Sequence, residues 1–208
     1  LYAQWRCETP EFDIKIKDDN PVVFSGEAIE LTIVGSNIAT DATYQWYKGT
    51  EEIANQNSAT LTIEDWDAND IGNYACEVSN GTCSKINNYT VKMYSLRGLI
   101  DWETDCIFER ATATTATYST ELYANASYDF KIFDGSDYYG NTGADPTMTH
   151  NNCTNWTMQQ NMGNNVTLKT TASDTYIFTI DFTDQSNPTI SVTYPQKKMV
   201  YLNPGNWN

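Results

Sequence analysis

The sequence predicts an all-β chain folded as two tandem β-sandwich domains. Fourteen tyrosines, together with many threonines and asparagines, favour strands and polar turns over helices. Apolar and polar residues alternate with a period of two in short runs such as residues 175–182, which is the pattern of a half-buried strand. The 208 residues are about twice the length of one sandwich of roughly 100 residues. We therefore expect two domains and almost no helix.

The first predicted domain spans residues 8–95. Its strands are predicted over residues 12–17, 26–34, 44–48, 61–63, 70–76 and 88–93. A short polar stretch containing a charge and a glycine, residues 95–98, separates this domain from the next.

Two aromatic residues of the first domain have recognisable mechanical roles. Trp46 would fill the centre of a two-sheet core, and Tyr74, two residues before Cys76, stands where a tyrosine corner forms. Residues 44–48, 61–63 and 70–76 together resemble strands C, E and F of an immunoglobulin-like domain. The resemblance implies a second cysteine in strand B, but residues 28–34 contain none and Ile33 takes its place. We expect this core to be held by packing alone.

Five cysteines in an acidic β chain suggest an oxidising compartment, and the odd number leaves at least one of them unpaired or paired outside the sequence. The immunoglobulin-like resemblance places the chain start and the F–G turn at one pole, which implies that Cys7 can reach Cys83. Cys76 with Cys83 is the rival pair. In the second domain Cys106 and Cys153 are candidates for each other, and free thiols throughout are the remaining alternative.

The second predicted domain spans residues 96–195. Its strands are predicted over residues 115–122, 128–133, 166–170, 175–182 and 189–194, the last two forming a hairpin. Residues 127–132, 138–143, 148–149, 152–153 and 189–195 resemble the starch-binding-type β-sandwich modules of surface glycan-utilisation proteins from Bacteroides-like bacteria. The resemblance implies carbohydrate binding, with an α-glucan as a candidate ligand. Asp145-Pro146 departs from the spacing of that family, which leaves the loop geometry open.

The two ends of the sequence suggest that further modules belong to the same chain. Residues 1–5, Leu-Tyr-Ala-Gln-Trp, resemble the closing strand of an internalin-type B repeat, so residues 1–7 are interpreted as the tail of a preceding repeat or as an ordinary first strand. Residues 196–208 are interpreted as a linker or the start of another module.

Charge and hydropathy exclude several classes of partner. The chain has 27 acidic and 12 basic residues, an excess of 27 − 12 = 15 negative charges, which disfavours binding to nucleic acid or to anionic membranes. No apolar run reaches the roughly 18 residues that a membrane-spanning helix needs, so membrane insertion is not expected.

The sequence offers little support for catalysis. His150 is the only histidine, so a Ser-His-Asp triad has no other base, and no Gly-x-Ser-x-Gly motif is present. Zinc spacings are absent, and residues 134–137 fit a turn better than a calcium site. We therefore predict no enzyme, no metal and no cofactor.

The aromatic and amide residues of the second domain are the candidate ligand-binding site. Sugar rings stack their apolar C–H faces on Trp and Tyr, while Asn and Lys reach their hydroxyl groups. The candidates are Tyr138, Tyr139 and Trp156 as stacking rings, Trp102 as an extension of the platform, and Asn141 and Lys131 as polar partners.

The predicted function is therefore non-catalytic glycan binding at a bacterial cell surface or in the extracellular space, with the immunoglobulin-like domain as a spacer. The alternative is an adhesin or a structural stalk whose domains bind protein or act only as spacers. Under the first interpretation at least two of the named aromatic rings should be exposed and coplanar, whereas under the second they should be buried.

Overall fold

A computed structural model describes residues 8–20, 22–141, 147–149, 156–160 and 163–193. Its strands are β1 (Glu11–Ile16), β2 (Ile29–Ser36), β3 (Thr43–Lys48), β4 (Glu51–Glu52), β5 (Thr60–Ile63), β6 (Gly72–Ser79), β7 (Ser84–Val91), β8 (Ser95–Arg97), β9 (Cys106–Ile107), β10 (Glu109–Arg110), β11 (Thr115–Leu122), β12 (Ser127–Phe133), β13 (Tyr138–Asn141), β14 (Thr147–Thr149), β15 (Trp156–Gln160), β16 (Val166–Lys169), β17 (Asp174–Asp181) and β18 (Thr189–Thr193). In this part of the chain the helical elements are two 3-10 turns, Lys17–Asp19 and Ala68–Asp70. The all-β prediction is confirmed.

Two sheets face each other across the first core. One has the order β1-β2-β5 and the other the order β4-β3-β6-β7. Their inner faces carry alternating apolar side chains because successive residues of a strand point to opposite faces. Trp46 and Leu31 are fully buried between them, and the Trp46 Nε1 donates to the Ser58 carbonyl oxygen at 2.9 Å.

Tyr74 forms the predicted tyrosine corner. Its ring is buried and its hydroxyl donates to the Asp70 carbonyl oxygen at 2.7 Å. Asp70 ends a 3-10 turn that Asp67 caps, with a reciprocal pair of side-chain to backbone hydrogen bonds. These contacts fix the connection between β5 and β6 at one end of the sandwich.

The second domain packs two layers of one extended sheet. Its main path has the order β10-β11-β17-β18-β15-β13-β12-β16-β14, and β8 adds to it by pairing with β12 and β9. Phe130 of β12 meets Phe178 of β17 edge to face, with ring centroids 5.4 Å apart, which brings the two layers together. The predicted hairpin is confirmed, because β17 and β18 pair antiparallel with Phe178 opposite Val192.

The strands change partners between β7 and β8. Strand β7 ends at Val91 and pairs with β6, whereas β8 begins at Ser95 and pairs with strands of the second domain. The division of the chain at residue 95 stays a prediction, and residues 1–7 and 196–208 lie outside the described residues. Among the described residues, neither helical element is long and apolar enough to cross a membrane.

Candidate functional site

The structure brings three of the predicted site residues together. Trp102 lies in the β8–β9 loop and is 42% exposed. Its ring meets that of Tyr138, at the start of β13, with centroids 6.4 Å apart. The Lys131 Nζ of β12 lies 6.0 Å from the Tyr138 ring centroid. We call Trp102, Tyr138 and Lys131 the Trp102 patch.

Hydrogen bonds within the β8–β9 loop hold Trp102 in place. The Asp101 carboxylate accepts from the backbone N–H groups of Glu103 at 2.9 Å and Thr104 at 2.6 Å, and from the Thr104 hydroxyl at 2.8 Å. The hydrogen bond from the Glu103 N–H, with those from Thr104, lowers the pKa of Asp101 below its usual range. Gly98 opens the loop with φ +103°, where a side chain would collide with the Asp129 carbonyl oxygen.

Arg97 contacts Tyr138 of the patch, and the sequence analysis did not identify it. Its guanidinium forms a bidentate ion pair with Asp105, in which Nε donates to Oδ1 at 2.7 Å and Nη2 donates to Oδ2 at 2.9 Å. It stacks 3.8 Å from the Phe133 ring centroid and donates to the Tyr138 hydroxyl at 3.2 Å. The hydrogen bond to Asp105 raises the pKa of Arg97. Its position in the short stretch between the domains gave no sequence signal of this role.

Two of the predicted site residues are buried, so those predictions are wrong. Tyr139 is 1% exposed and donates its hydroxyl proton to Asp134 at 2.9 Å, so its ring cannot stack on a ligand. Asn141 is 7% exposed, and its backbone N–H donates to the Asn164 carbonyl oxygen at 3.1 Å. Tyr138 and Tyr139 differ because neighbouring residues of a strand face opposite sides of the sheet.

The expected coplanar platform is also absent from the described residues. The planes of Trp102 and Tyr138 are inclined by 65°, so the two rings form an edge-to-face pair and not a flat surface. Strand β15 begins at Trp156, whose side chain lies outside the described part of the structure.

The state of the cysteines in the structure contradicts two of the predicted disulfide pairs. Cys83 is disulfide-bonded, whereas Cys76 and Cys106 are buried free thiols. The Cys76–Cys83 pair and the Cys106–Cys153 pair are therefore wrong, and Cys7 and Cys153 lie outside the described residues. Burial raises the pKa of Cys76 to about 12 and also raises that of Cys106, so neither is a reactive thiolate at neutral pH.

The acidic run at residues 134–137 is a turn, as predicted. The Asp134 Oδ1 accepts from the backbone N–H groups of Ser136 at 3.0 Å and Asp137 at 2.8 Å, and the Asp134 N–H donates to the Asp137 carbonyl oxygen. No cluster of three or more potential metal-ligating side chains occurs within the described residues.

Comparison with known proteins supports the fold of the first domain. A family model described as an immunoglobulin domain matches residues 10–80. The first domain is immunoglobulin-like. This fold is typical of structural or binding modules without catalytic activity, although fold alone assigns no chemistry.

Two solved structures of tandem domains are similar over most of the chain. One is the three N-terminal domains of the bacteriophage RB49 highly immunogenic outer capsid protein, with 14% identity and a TM-score of 0.38. The chain spans 58% of that structure's length, with 89% of its own residues covered. The other is a chimeric titin Z1Z2-Z1Z2 tandem functionalised with a GRGDS peptide from fibronectin, with 11% identity and a TM-score of 0.30. The match covers 89% of this chain and 97% of the titin tandem. At these values the similarities carry no functional information.

Proposed function

We propose that this chain is a non-catalytic glycan-binding module whose contact residue is Trp102. The observation that supports the proposal most is the exposure of the Trp102 ring on a loop that Asp101 holds in one conformation. A preorganised aromatic ring loses little conformational entropy on binding, and its apolar face suits the C–H face of a pyranose.

The neighbours of Trp102 limit what the patch can offer a sugar. Lys131 can donate a hydrogen bond, because no ion pair holds it among the described residues. Arg97 is committed to Asp105, and the Tyr138 hydroxyl accepts from Arg97. The proposed contact is therefore one ring stacked on Trp102, with Lys131 reaching a hydroxyl group.

The 65° inclination of Trp102 to Tyr138 bears on the kind of glycan. A flat, ribbon-like polysaccharide needs coplanar rings, which this pair does not provide. A single terminal sugar or a curved chain fits better, and an α-glucan remains the candidate ligand. Because only one ring stacks, we expect weak binding that multiple copies or further modules would strengthen.

Affinity electrophoresis tests the proposal. Gels containing soluble starch or other glucans should retard the full chain. Trp102→Ala should weaken binding by about 1–3 kcal/mol, or roughly 5- to 150-fold. The matched control is Tyr123→Ala, which removes another exposed aromatic ring, 78% exposed, at the opposite end of β12. Equal retardation of both variants, or unshifted wild-type protein across a glycan array, would refute glycan binding at this patch.

A structural stalk is the second candidate function. One hydrophobic cluster runs without a break through both domains, which is the construction expected of a rigid spacer. Under this proposal no glycan retards the chain, and the Trp102 patch serves only to stabilise the β8–β9 loop. Both candidates place the protein at the cell surface or outside the cell, where the disulfide at Cys83 would persist.

A further inference from the structure

The connection between the two domains contains no free linker. Only residues 92–94 separate β7 from β8, and Met93 and Tyr94 are buried. Lys92 forms a parallel bridge with Val22 of the first domain, and its carbonyl oxygen accepts from the Val23 N–H at 3.0 Å. Three residues held in this way leave little room for rotation about the connection.

An ion pair crosses the junction at one side. Asp134, in the β12–β13 turn of the second domain, has a fully buried side chain whose Oδ2 lies 2.5 Å from the Lys92 Nζ. The same oxygen accepts from the Tyr139 hydroxyl at 2.9 Å. Burial alone would raise the pKa of Asp134, but hydrogen bonds from Lys92 and from the backbone of residues 136 and 137 outweigh it and lower the pKa.

A second ion pair also crosses the junction, with the positions of the positive and negative charge exchanged between the domains. Here the first domain supplies the anion, Glu27, and the second supplies the cation, Arg110. Arg110 bonds both Glu27 oxygens, at 3.1 Å from Nη2 to Oε2, and donates to the Val22 carbonyl oxygen at 2.8 Å. Its guanidinium lies 4.9 Å from the Phe24 ring centroid of the first domain and 5.8 Å from that of Phe182 of the second.

A row of aromatic rings joins the two ion pairs. Phe24 meets Phe182 at 5.7 Å between centroids, Phe182 meets Tyr94 at 6.0 Å, and Tyr94 meets Tyr139 at 5.9 Å. Each ring packs on the next, and the row ends at an ion pair on both sides. The Tyr94 hydroxyl also donates to the Gln185 carbonyl oxygen at 3.2 Å, in the β17–β18 turn.

A third contact lies beside Asp134. Gly135 has φ +94°, and a side chain at this position would overlap the Ile71 side chain of the first domain. The turn of the second domain therefore lies directly on the first domain, at a distance that only glycine permits.

We propose that these contacts form a two-point latch that joins the domains into one rigid body, with Lys92–Asp134 and Glu27–Arg110 as its two points. Each domain supplies one cation and one anion, so turning one domain by half a turn on the other would place like charges opposite each other. Only one relative orientation pairs both sets of charges. The immunoglobulin-like domain then holds the second domain, and any ligand bound to it, in a fixed direction.

Nuclear magnetic relaxation of the full chain tests the latch, because each domain reports its own rotational correlation time. In the wild type the two domains should give the same value. Asp134→Asn with Arg110→Met should give two different values, because the asparagine keeps the turn's hydrogen bonds but removes the ion pair. The matched control is Asp105→Asn with Lys85→Met, which removes two ion pairs that each lie within one domain.

Either of two results would overturn the latch. One is a wild type whose domains already tumble with different correlation times. The other is a latch variant that tumbles as the control does. If the double variant does not fold, Arg110→Lys alone keeps the charge but loses the two-point contact and the ring stacking. In Arg110→Lys the rotational correlation times of the two domains should differ more than they do in the wild type. If that difference is the same as in the wild type, the proposal is also overturned.

Discussion

The junction and the Trp102 patch are built from the same kinds of side chain, yet they differ in exposure. Tyr139 lies at the junction and Tyr138 in the patch. The Tyr139 hydroxyl bonds the ion pair Lys92–Asp134 through Asp134, and the Tyr138 hydroxyl bonds the ion pair Arg97–Asp105 through Arg97. The Asp134 side chain is fully buried, whereas that of Asp105 is 25% exposed. Lys92 is itself 29% exposed, so water reaches the cation of the junction pair, but loss of that cation would leave the Asp134 carboxylate fully buried and uncompensated. Breaking the ion pair should therefore cost more at the junction than at the patch.

The largest effect is expected from Lys92→Met. It leaves the Asp134 carboxylate buried without its cation, which should lower the free energy of unfolding by about 3–5 kcal/mol. Urea denaturation of the full chain measures this loss. Adding Asp134→Asn should recover part of it, because the uncompensated charge is then gone.

The exposed pair Lys85–Glu11 supplies the control for this comparison. Lys85→Met should cost at most about 1 kcal/mol, as exposed ion pairs do. If Lys92→Met and Lys85→Met lowered the free energy of unfolding equally, burial of the ion pair at the junction would have no effect on stability.

The next largest effect is expected from Gly135→Ala. The alanine must adopt φ +94° and overlap Ile71, so we expect a loss of about 2–4 kcal/mol from backbone strain and overpacking. Combining it with Ile71→Ala makes room for the new methyl group. The cost of the pair should then be smaller than the sum of the single costs, whereas strict additivity would mean that the two side chains do not meet.

Acid should weaken the junction through Asp134. Its pKa is lowered in the folded state, so the stability it supplies is present above the unfolded value of about 3.9 and is lost as the pH falls through the folded value. Asp134→Asn should flatten the decline in unfolding free energy below about pH 4. Burial alone would raise the pKa of Asp105, but hydrogen bonds from Arg97 and Ser95 outweigh it and lower the pKa. Asp105→Asn should therefore flatten the same decline in unfolding free energy for the patch.

Sequence reasoning succeeded where a local pattern carries the information. The spacing of Trp46, Tyr74 and Cys76 predicted the first sandwich, and the tyrosine corner forms as expected. The alternation along residues 175–182 predicted β17, because the period of a strand is visible in the sequence alone.

The site was less predictable because its contacts join residues distant in sequence. Arg97 and Tyr138 are separated by 41 positions, and no local pattern links them. No strand was predicted over Tyr138 and Tyr139, so nothing in the sequence indicated that they face opposite sides of a sheet, and both were predicted to contact the ligand. The free thiol of Cys106 depends on three-dimensional neighbours, which a cysteine count does not reveal.

The smallest effect on stability is expected at the patch itself. Trp102→Ala removes a partly exposed ring whose loop is held by the backbone and by Asp101, so the free energy of unfolding should change by no more than about 1 kcal/mol. Glycan binding, by contrast, should weaken by about 1–3 kcal/mol. Urea denaturation and affinity electrophoresis on the same variant separate the two effects. A large loss of stability would mean that Trp102 is a structural residue of the second domain, and the stalk would then be the better interpretation of both regions.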